Sequence, residues 1–255
     1  MNGPPPTVAA TPGRPVLDER TRYEPRGPME RFMVPLLAAE IDRLLGECRE
    51  VLRPGAAVLD VGCGRQPLRS RIEALGCGYV STDAAQNADR SVDHVCPIDG
   101  DLPAALVERG PFDLLLVTEV LEHVALWDEA FRNFARLTRP GSHLLATCPH
   151  FYPLHEEPYD FWRPTPHALR FFGARHGFEV VDIRAAGTPL DVIGTVAATS
   201  WFAPAARGVV AGLASKALNL LRRALFGLAA SGWLRRRVAS HGSGYLANVA
   251  LLVRR

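Results

Sequence analysis

Two rhythms of apolar residues run along this chain. Between positions 29 and 52, Phe32, Leu36, Leu37, Ile41, Leu44 and Leu45 recur three and four residues apart, the spacing of one helix face. Pro35 sits near the start of that stretch, where a helix tolerates a missing N–H. Short continuous apolar runs then alternate with helical stretches. The run AAVLDV over 56–61 ends in Gly-Cys-Gly and reads as a buried strand. A helix over 67–75 and a strand over 78–82 ending at Asp83 follow. Next come a strand over 112–118 (FDLLLVT), a helix over 121–137 stopped by Arg139-Pro140-Gly141, and a strand over 143–148 (HLLATC). A helix over 166–176 and strands over 177–183 and 245–253 complete the series. Strands separated by helices predict a mainly parallel sheet with helices on both faces, a doubly wound α/β domain.

The remaining segments set the organisation. Residues 1–16, MNGPPPTVAATPGRPV, are too rich in Pro, Gly and small residues to order, and read as a disordered leader. A helical cap over 17–54 precedes a core over 55–189, an inserted helical segment over 190–240 and a terminal strand over 241–255. Within the insertion the longest uncharged run, 192–206, is 15 residues, short of the roughly 20 that a membrane span needs. From 209 to 228 the pattern is helical. Val210, Leu213, Ala217, Leu220, Leu221, Ala224 and Leu228 share one side, with Lys216, Asn219, Arg222 and Arg223 opposite. Such a helix can cap its own core, lie on an anionic membrane surface or pair with a second copy.

Charge sharpens that choice. The net charge is +2, yet residues 192–255 hold nine Lys and Arg and no Asp or Glu, which leaves −7 for the rest. A mildly acidic body with a basic C-terminal part predicts a surface for something anionic. The 255 residues, 47% of them hydrophobic, exclude a disulfide-stapled miniprotein and a disordered chain. Five cysteines with no C-x-x-C pair read as buried free thiols of a cytoplasmic protein, and no secretory signal opens the chain.

The strongest chemical signal is Asp60-Val61-Gly62-Cys63-Gly64. A buried strand that delivers a glycine turn and then a helix is the geometry that binds a nucleotide at the carboxyl end of a parallel strand. A dinucleotide fingerprint needs a third glycine where Pro67 stands. Asp83, 23 residues after Asp60, ends the next strand, where a carboxylate can accept from both ribose hydroxyls. Further on, Tyr152, His155, Tyr159, Asp160, Trp162 and Arg163 crowd aromatic, acid/base and cationic groups into a loop leaving the same sheet edge.

With these motifs the chain resembles the class I S-adenosylmethionine-dependent methyltransferases, over about residues 30–185 and the terminal strand. The resemblance implies a doubly wound, mainly parallel, seven-stranded Rossmann-like sheet and S-adenosyl-L-methionine as cofactor. It implies cofactor contacts at Asp60, Gly62 and Gly64 (methionine part), Asp83 (ribose) and Asp99 (adenine), with Asp101 nearly as well placed for the last. The fourth strand ends in Thr118-Glu119-Val120-Leu121-Glu122-His123, close to a common signature of the family, which puts Glu119 near the methionine end. His123 reads as a helix-packing residue. The segment Cys148–Thr165 is similar to that of bacterial family members from glycan and natural-product pathways.

The expected activity is methyl transfer to a small-molecule or saccharide acceptor, including a lipid-linked one, most simply at oxygen. His155 is the expected base and Asp160 its orienting partner, with His150 in reserve. Tyr152, Tyr159, Trp162 and Arg163 are expected to bind substrate. A sulfonium methyl is already electrophilic, and no ligand spacing along the chain suggests a metal. A nucleic-acid methyltransferase is the alternative, opposed by the lack of an Asn/Asp-Pro-Pro-aromatic tetrad or an RNA-binding module. A scaffold that kept the fold and lost the chemistry is opposed by the nearly complete first motif.

Overall fold

A computed structural model describes residues 20–205, 207–239 and 241–255. The expected leader over 1–16 lies outside them. After a 3₁₀ turn at Pro28–Glu30, helix α1 (Met33–Glu47) runs to β1 (Ala57–Val61), α2 (Arg69–Ala74) and β2 (Gly78–Asp83). The two-residue β3 (His94–Val95), α3 (Ala104–Arg109), β4 (Phe112–Thr118), α4 (Trp127–Leu137) and β5 (Thr138–Pro149) follow. Then come α5 (Pro166–Arg175), β6 (Phe178–Ala186), α6 (Pro189–Thr199), α7 (Val209–Ala230), α8 (Gly232–Arg235) and β7 (Ala247–Arg254). Seven strands form one sheet in the order β3-β2-β1-β4-β5-β7-β6. β7 alone runs antiparallel to its neighbours, pairing Leu145 with Leu251 on one side and Ile183 with Ala250 on the other. The order reverses between β1 and β4, and an open parallel sheet presents its binding crevice at the carboxyl ends of strands flanking such a switch.

Strand alternation divides the core. On β4, Leu115 and Val117 point into a cluster with Phe131, Phe134, Trp127 and Leu169 of the α4–α5 layer. Leu114 and Leu116 point into the opposite cluster, with Ile41, Leu44 and Leu45 of α1 and Ile72 of α2. Both faces of β4 are therefore apolar, the signature of a central parallel strand. Pro35 falls third in α1, among the N–H groups that have no intrahelical acceptor, so the helix begins two residues earlier than the proline would suggest.

One expected helix, over 121–137, is divided. A 3₁₀ turn covers Leu121–His123, and α4 begins only at Trp127. Two non-local hydrogen bonds explain the break. The Trp127 indole N–H donates to the Leu121 carbonyl at 2.8 Å, and the Leu126 N–H donates to Asp99 Oδ2 at 3.1 Å. Backbone groups that a continuous helix would pair internally are satisfied from outside. The short α3 has no counterpart in the apolar pattern, since Leu106 is its one buried side chain.

The insertion turns its apolar side outward. On α7 the buried side chains are Ser215 and Ala229. Ser215 Oγ and Asn219 Nδ2 both donate to the Phe202 carbonyl, at 2.8 and 2.7 Å. Val210, Leu213 and Leu220 are 81%, 61% and 70% exposed. The leucine-bearing side thus does not cap the core of its own chain, because the polar side is the one tethered to the loop after α6. Among the described residues no helix is long and apolar enough to cross a membrane.

Phe131 meets Trp127, Phe134 and Phe172 within ring distances of 5.4–6.0 Å and is fully buried. Phe131→Ala should therefore lower stability by about 3–5 kcal/mol, read as a shift in the urea unfolding midpoint. A loss below about 1 kcal/mol would mean that the aromatic layer is not as closely packed as described.

Candidate active site

The turn after β1 shapes the site. Gly62 and Gly64 adopt φ of +65° and +50°, in the left-handed region that glycine enters at little cost. A Cβ on Gly62 would stand 2.4 Å from Val120 Cγ2, so no larger residue fits. Both Gly62 and Cys63 donate their N–H groups to the Thr82 carbonyl, at 2.8 and 3.2 Å, which ties the turn to β2. The Gly64 N–H donates to Asp83 Oδ2 at 2.9 Å. Beneath the turn, Asp60 is buried and accepts from the Tyr79 hydroxyl at 2.5 Å. Burial pushes the Asp60 carboxyl up to about 7, with Asp83 adding to the rise and the Tyr79 hydrogen bond opposing it. At the end of β4, Glu119 holds φ +56°, an uncommon state for a residue with a side chain, and donates its N–H to Thr147.

These elements form the floor of a cleft of about 260 Å³. Arg20, Tyr23, Arg26 and Glu30 form one wall, with Tyr23 donating to Thr118 Oγ1 at 2.9 Å. Arg20 and Arg26 pair with Glu30 at 3.0 and 3.2 Å. The other wall carries His123, Tyr152, His155 and Glu156. Burial, with Glu30 adding to it, pushes the Tyr152 hydroxyl up to about 12.

The loop bearing that wall is held by one ion pair. Asp160, its carboxylate 1% exposed, accepts from both terminal nitrogens of Arg163 at 2.6 and 2.7 Å and from the His155 N–H at 2.9 Å. Arg163 also donates to the carbonyls of Tyr152 and Pro153, at 3.1 and 3.0 Å. The His155 ring faces the Pro153 carbonyl and Asp160 through Nδ1, at 3.2 Å each. The two acceptors stand nearer Nδ1 than the Arg163 Nη2 donor, which is 3.4 Å away, and so favour the proton on Nδ1 with the lone pair on Nε2. Burial moves the imidazole below its ordinary value despite Asp160, so the ring is neutral at pH 7.

Of the residues expected from sequence, Asp60, Gly62, Gly64, Glu119, Tyr152 and His155 come together on this cleft. Asp83 and Asp160 stand directly behind it, holding Gly64 and His155. Asp99 lies further off, at the start of α4. Trp162 is half-exposed and anchored through its indole N–H to the Val124 carbonyl at 2.9 Å. Tyr159 meets the site through its backbone, where its carbonyl accepts from His123 Nδ1 at 3.0 Å. His150 stacks on Tyr245 at 4.2 Å. Sequence reasoning missed the wall formed by Arg20, Tyr23, Arg26 and Glu30, for which no local pattern exists. It also set aside His123, which the 3₁₀ turn aims at the cleft.

Comparison with known proteins settles the family. A family model described as a methyltransferase domain matches residues 29–183. The chain belongs to that methyltransferase family. The cofactor that the sequence resemblance implies is S-adenosyl-L-methionine. The cleft suits that group: the glycine turn lines it without side chains of its own, and Asp60 and Glu119 offer carboxylates to its cationic end. Over 96 residues the chain is 34% identical to the ubiquinone biosynthesis O-methyltransferase of Caulobacter vibrioides, covering 34% of this chain and 38% of that protein. The Caulobacter sp. (strain K31) protein of the same description matches equally. The chain thus spans well under half the length of these curated relatives. Among solved structures, a candidate sarcosine dimethylglycine methyltransferase from Galdieria sulphuraria has a TM-score of 0.52 at 13% identity, covering 93% of each chain. Coclaurine N-methyltransferase bound to N-methylheliamine and SAH has a TM-score of 0.50 at 17% identity, covering 85% of this chain and 71% of that one. Identities this low speak for the fold.

Because Asp160 is buried and its two strongest partners come from one guanidinium, Arg163→Met leaves an uncompensated charge. The substitution should cost about 2–3 kcal/mol, less than a fully buried pair since Arg163 keeps some solvent, in chemical denaturation. An unchanged midpoint would mean that the pair does not hold the loop.

Proposed function

We propose that this protein methylates a hydroxyl of a small-molecule acceptor, either a lipid-associated compound or a saccharide, with His155 as the base. One observation carries the proposal: a single cleft unites the glycine turn with a wall of Tyr152 and a neutral His155. The match to ubiquinone biosynthesis O-methyltransferases supports oxygen as the accepting atom. When bound, S-adenosylmethionine supplies an electrophilic sulfonium methyl. The chain supplies the rest. Gly62 and Gly64 admit the methionine part, Asp60 and Glu119 attract its ammonium, Asp83 accepts from the ribose and Asp99 lies on the adenine side. His155 Nε2 takes the acceptor's proton as oxygen attacks, a contribution of about 10²–10⁴-fold. Asp160 positions His155 through its backbone N–H and its ring. Tyr152 lines the acceptor end beside His155, while Tyr159, Trp162 and Arg163 shape the loop around it.

Calorimetric titration with S-adenosylhomocysteine tests the cofactor assignment. Micromolar affinity is expected, weakened at least tenfold by Asp83→Ala. The affinity should rise between about pH 6 and pH 8, as Asp60 ionises to meet the ligand's ammonium, and Asp60→Asn should flatten that rise. No binding by folded protein, or equal binding by Asp83→Ala, would overturn the assignment.

The acceptor is reached, on this reading, at an anionic membrane surface. Support comes from the outward apolar side of α7, flanked by exposed Trp201 and Trp233 at 77% and 58% and by the exposed cations Arg207, Lys216, Arg223, Arg236 and Arg237. A second copy on the same face would bring like charges together. Co-sedimentation should show pelleting with phosphatidylglycerol vesicles, lost in Leu213→Asp/Leu220→Asp. Equal pelleting with neutral and anionic vesicles, or none, would count against it.

A further inference from the structure

Beside the cleft, three ligand-type side chains converge from two stretches of chain, with Glu156 next to one of them. Glu122 and His123 come from the 3₁₀ turn after β4, and His155 and Glu156 from the loop after β5. Glu122 is fully buried, and neither carboxylate oxygen has a hydrogen-bond partner among the described residues. Leaving a buried carboxyl without a donor costs several kcal/mol in order of magnitude, so such a group ordinarily marks a missing partner. Ligand atoms of Glu122, His123 and His155 lie within 4.8 Å of one another. His123 Nε2 stands 3.8 Å from Glu122 Oε1 and 3.4 Å from Glu156 Oε2. Ligands held about 2.1 Å from a cation sit roughly 3–4 Å apart, so two of the contacts already have that spacing and His155 needs a small side-chain rotation.

The histidines are also set as ligands are. Metal-bound imidazoles usually donate their second N–H to a carbonyl or carboxylate. His123 Nδ1 faces the Tyr159 carbonyl at 3.0 Å, and His155 Nδ1 faces the Pro153 carbonyl and Asp160. In His123 it is Nε2 that faces the two glutamates. We infer that Glu122, His123 and His155 bind a divalent transition-metal cation such as Zn²⁺, Mn²⁺ or Co²⁺ at the acceptor end of the cleft, with Glu156 next to His123 at the edge of the set. Two imidazoles and a carboxylate suit these ions better than Ca²⁺ or Mg²⁺, which prefer oxygen alone. The pairs 122–123 and 155–156 are far apart in sequence, so no motif announces the site.

The role of the cation, though not its binding, rests on the methyl-transfer reading. An acceptor hydroxyl that ligates it ionises more readily, and its proton leaves to solvent through the open cleft. The oxygen lone pair then forms the C–O bond as the C–S bond breaks, and the cofactor departs as a neutral thioether. With the cation in place His155 is a ligand, and the base it provides in a metal-free site is not needed.

Cobalt reports the site directly. Tag-free protein, treated with EDTA and desalted, is titrated with Co²⁺ and followed by visible absorption, then challenged with Zn²⁺. One equivalent with a saturable band, displaced by Zn²⁺, is expected. Glu122→Gln and His155→Ala should each weaken Co²⁺ at least tenfold while leaving S-adenosylhomocysteine affinity within about twofold. His155→Ala, at the cleft wall, keeps the test informative if Glu122→Gln fails to fold by circular dichroism. Folded protein that binds S-adenosylhomocysteine but gives no saturable band at millimolar cobalt would overturn the site, as would two folded variants that bind cobalt like the parent. Cobalt binding without S-adenosylhomocysteine binding would keep the site and sink the assigned role.

Discussion

The approach of Val120 to the Gly62 backbone, at 2.4 Å from where a Cβ would stand, fixes how the carboxyl ends of β1 and β4 meet. With any side chain there the two turns would separate, and the floor of the cleft would open between them. With glycine the turn after β1 folds back onto β2, its N–H groups taken by the Thr82 carbonyl and Asp83, while β4 ends in a left-handed Glu119 held by Thr147. The walls depend on that floor. The 3₁₀ turn carrying Glu122 and His123 begins two residues after Glu119, so its direction is inherited from the same contact.

Charge in this cleft is arranged by depth. Asp60 in the cleft floor and Glu122 beside the cleft are buried carboxyls, and burial raises both above their ordinary range. Nearer the mouth, Glu30 is held by two guanidiniums and falls below its ordinary value although its burial opposes the change. The gradient places proton-sharing acids at the bottom and permanently ionised groups at the rim. A cationic ligand entering the cleft thus meets carboxylates whose charge it can itself induce.

Where local physics dominates, the sequence reads directly into the structure. The core of β4 follows from the apolar run over 114–117, and Asp60, Gly62 and Gly64 are placed by a strand-to-glycine transition that has few other uses. Legibility fails wherever a long-range hydrogen bond decides. Nothing near residue 126 says that Asp99 will take its N–H and interrupt a helix with good periodicity. Likewise, nothing around Tyr23 announces that it reaches Thr118. The helical wheel of α7 gives two unlike faces without saying which one turns inward, because that is decided by the Phe202 carbonyl, which Ser215 and Asn219 satisfy and a leucine cannot.

The place of β7 between β5 and β6 has a consequence for the order of assembly. β5 and β6 are made early and in succession, yet they are not neighbours, and each pairs with a strand that follows α6, α7 and α8 in the chain. Until β7 has left the ribosome β5 keeps an open edge and β6 has no partner in the sheet, and the nascent chain displays the apolar side of α7 at the same time. Contacts of long sequence separation form slowly, and unpaired edges recruit other chains while they wait. A ribosome stalled between α7 and β7 would thus hold the most adhesive form of this molecule, and slow translation there would be selected against for reasons unrelated to catalysis.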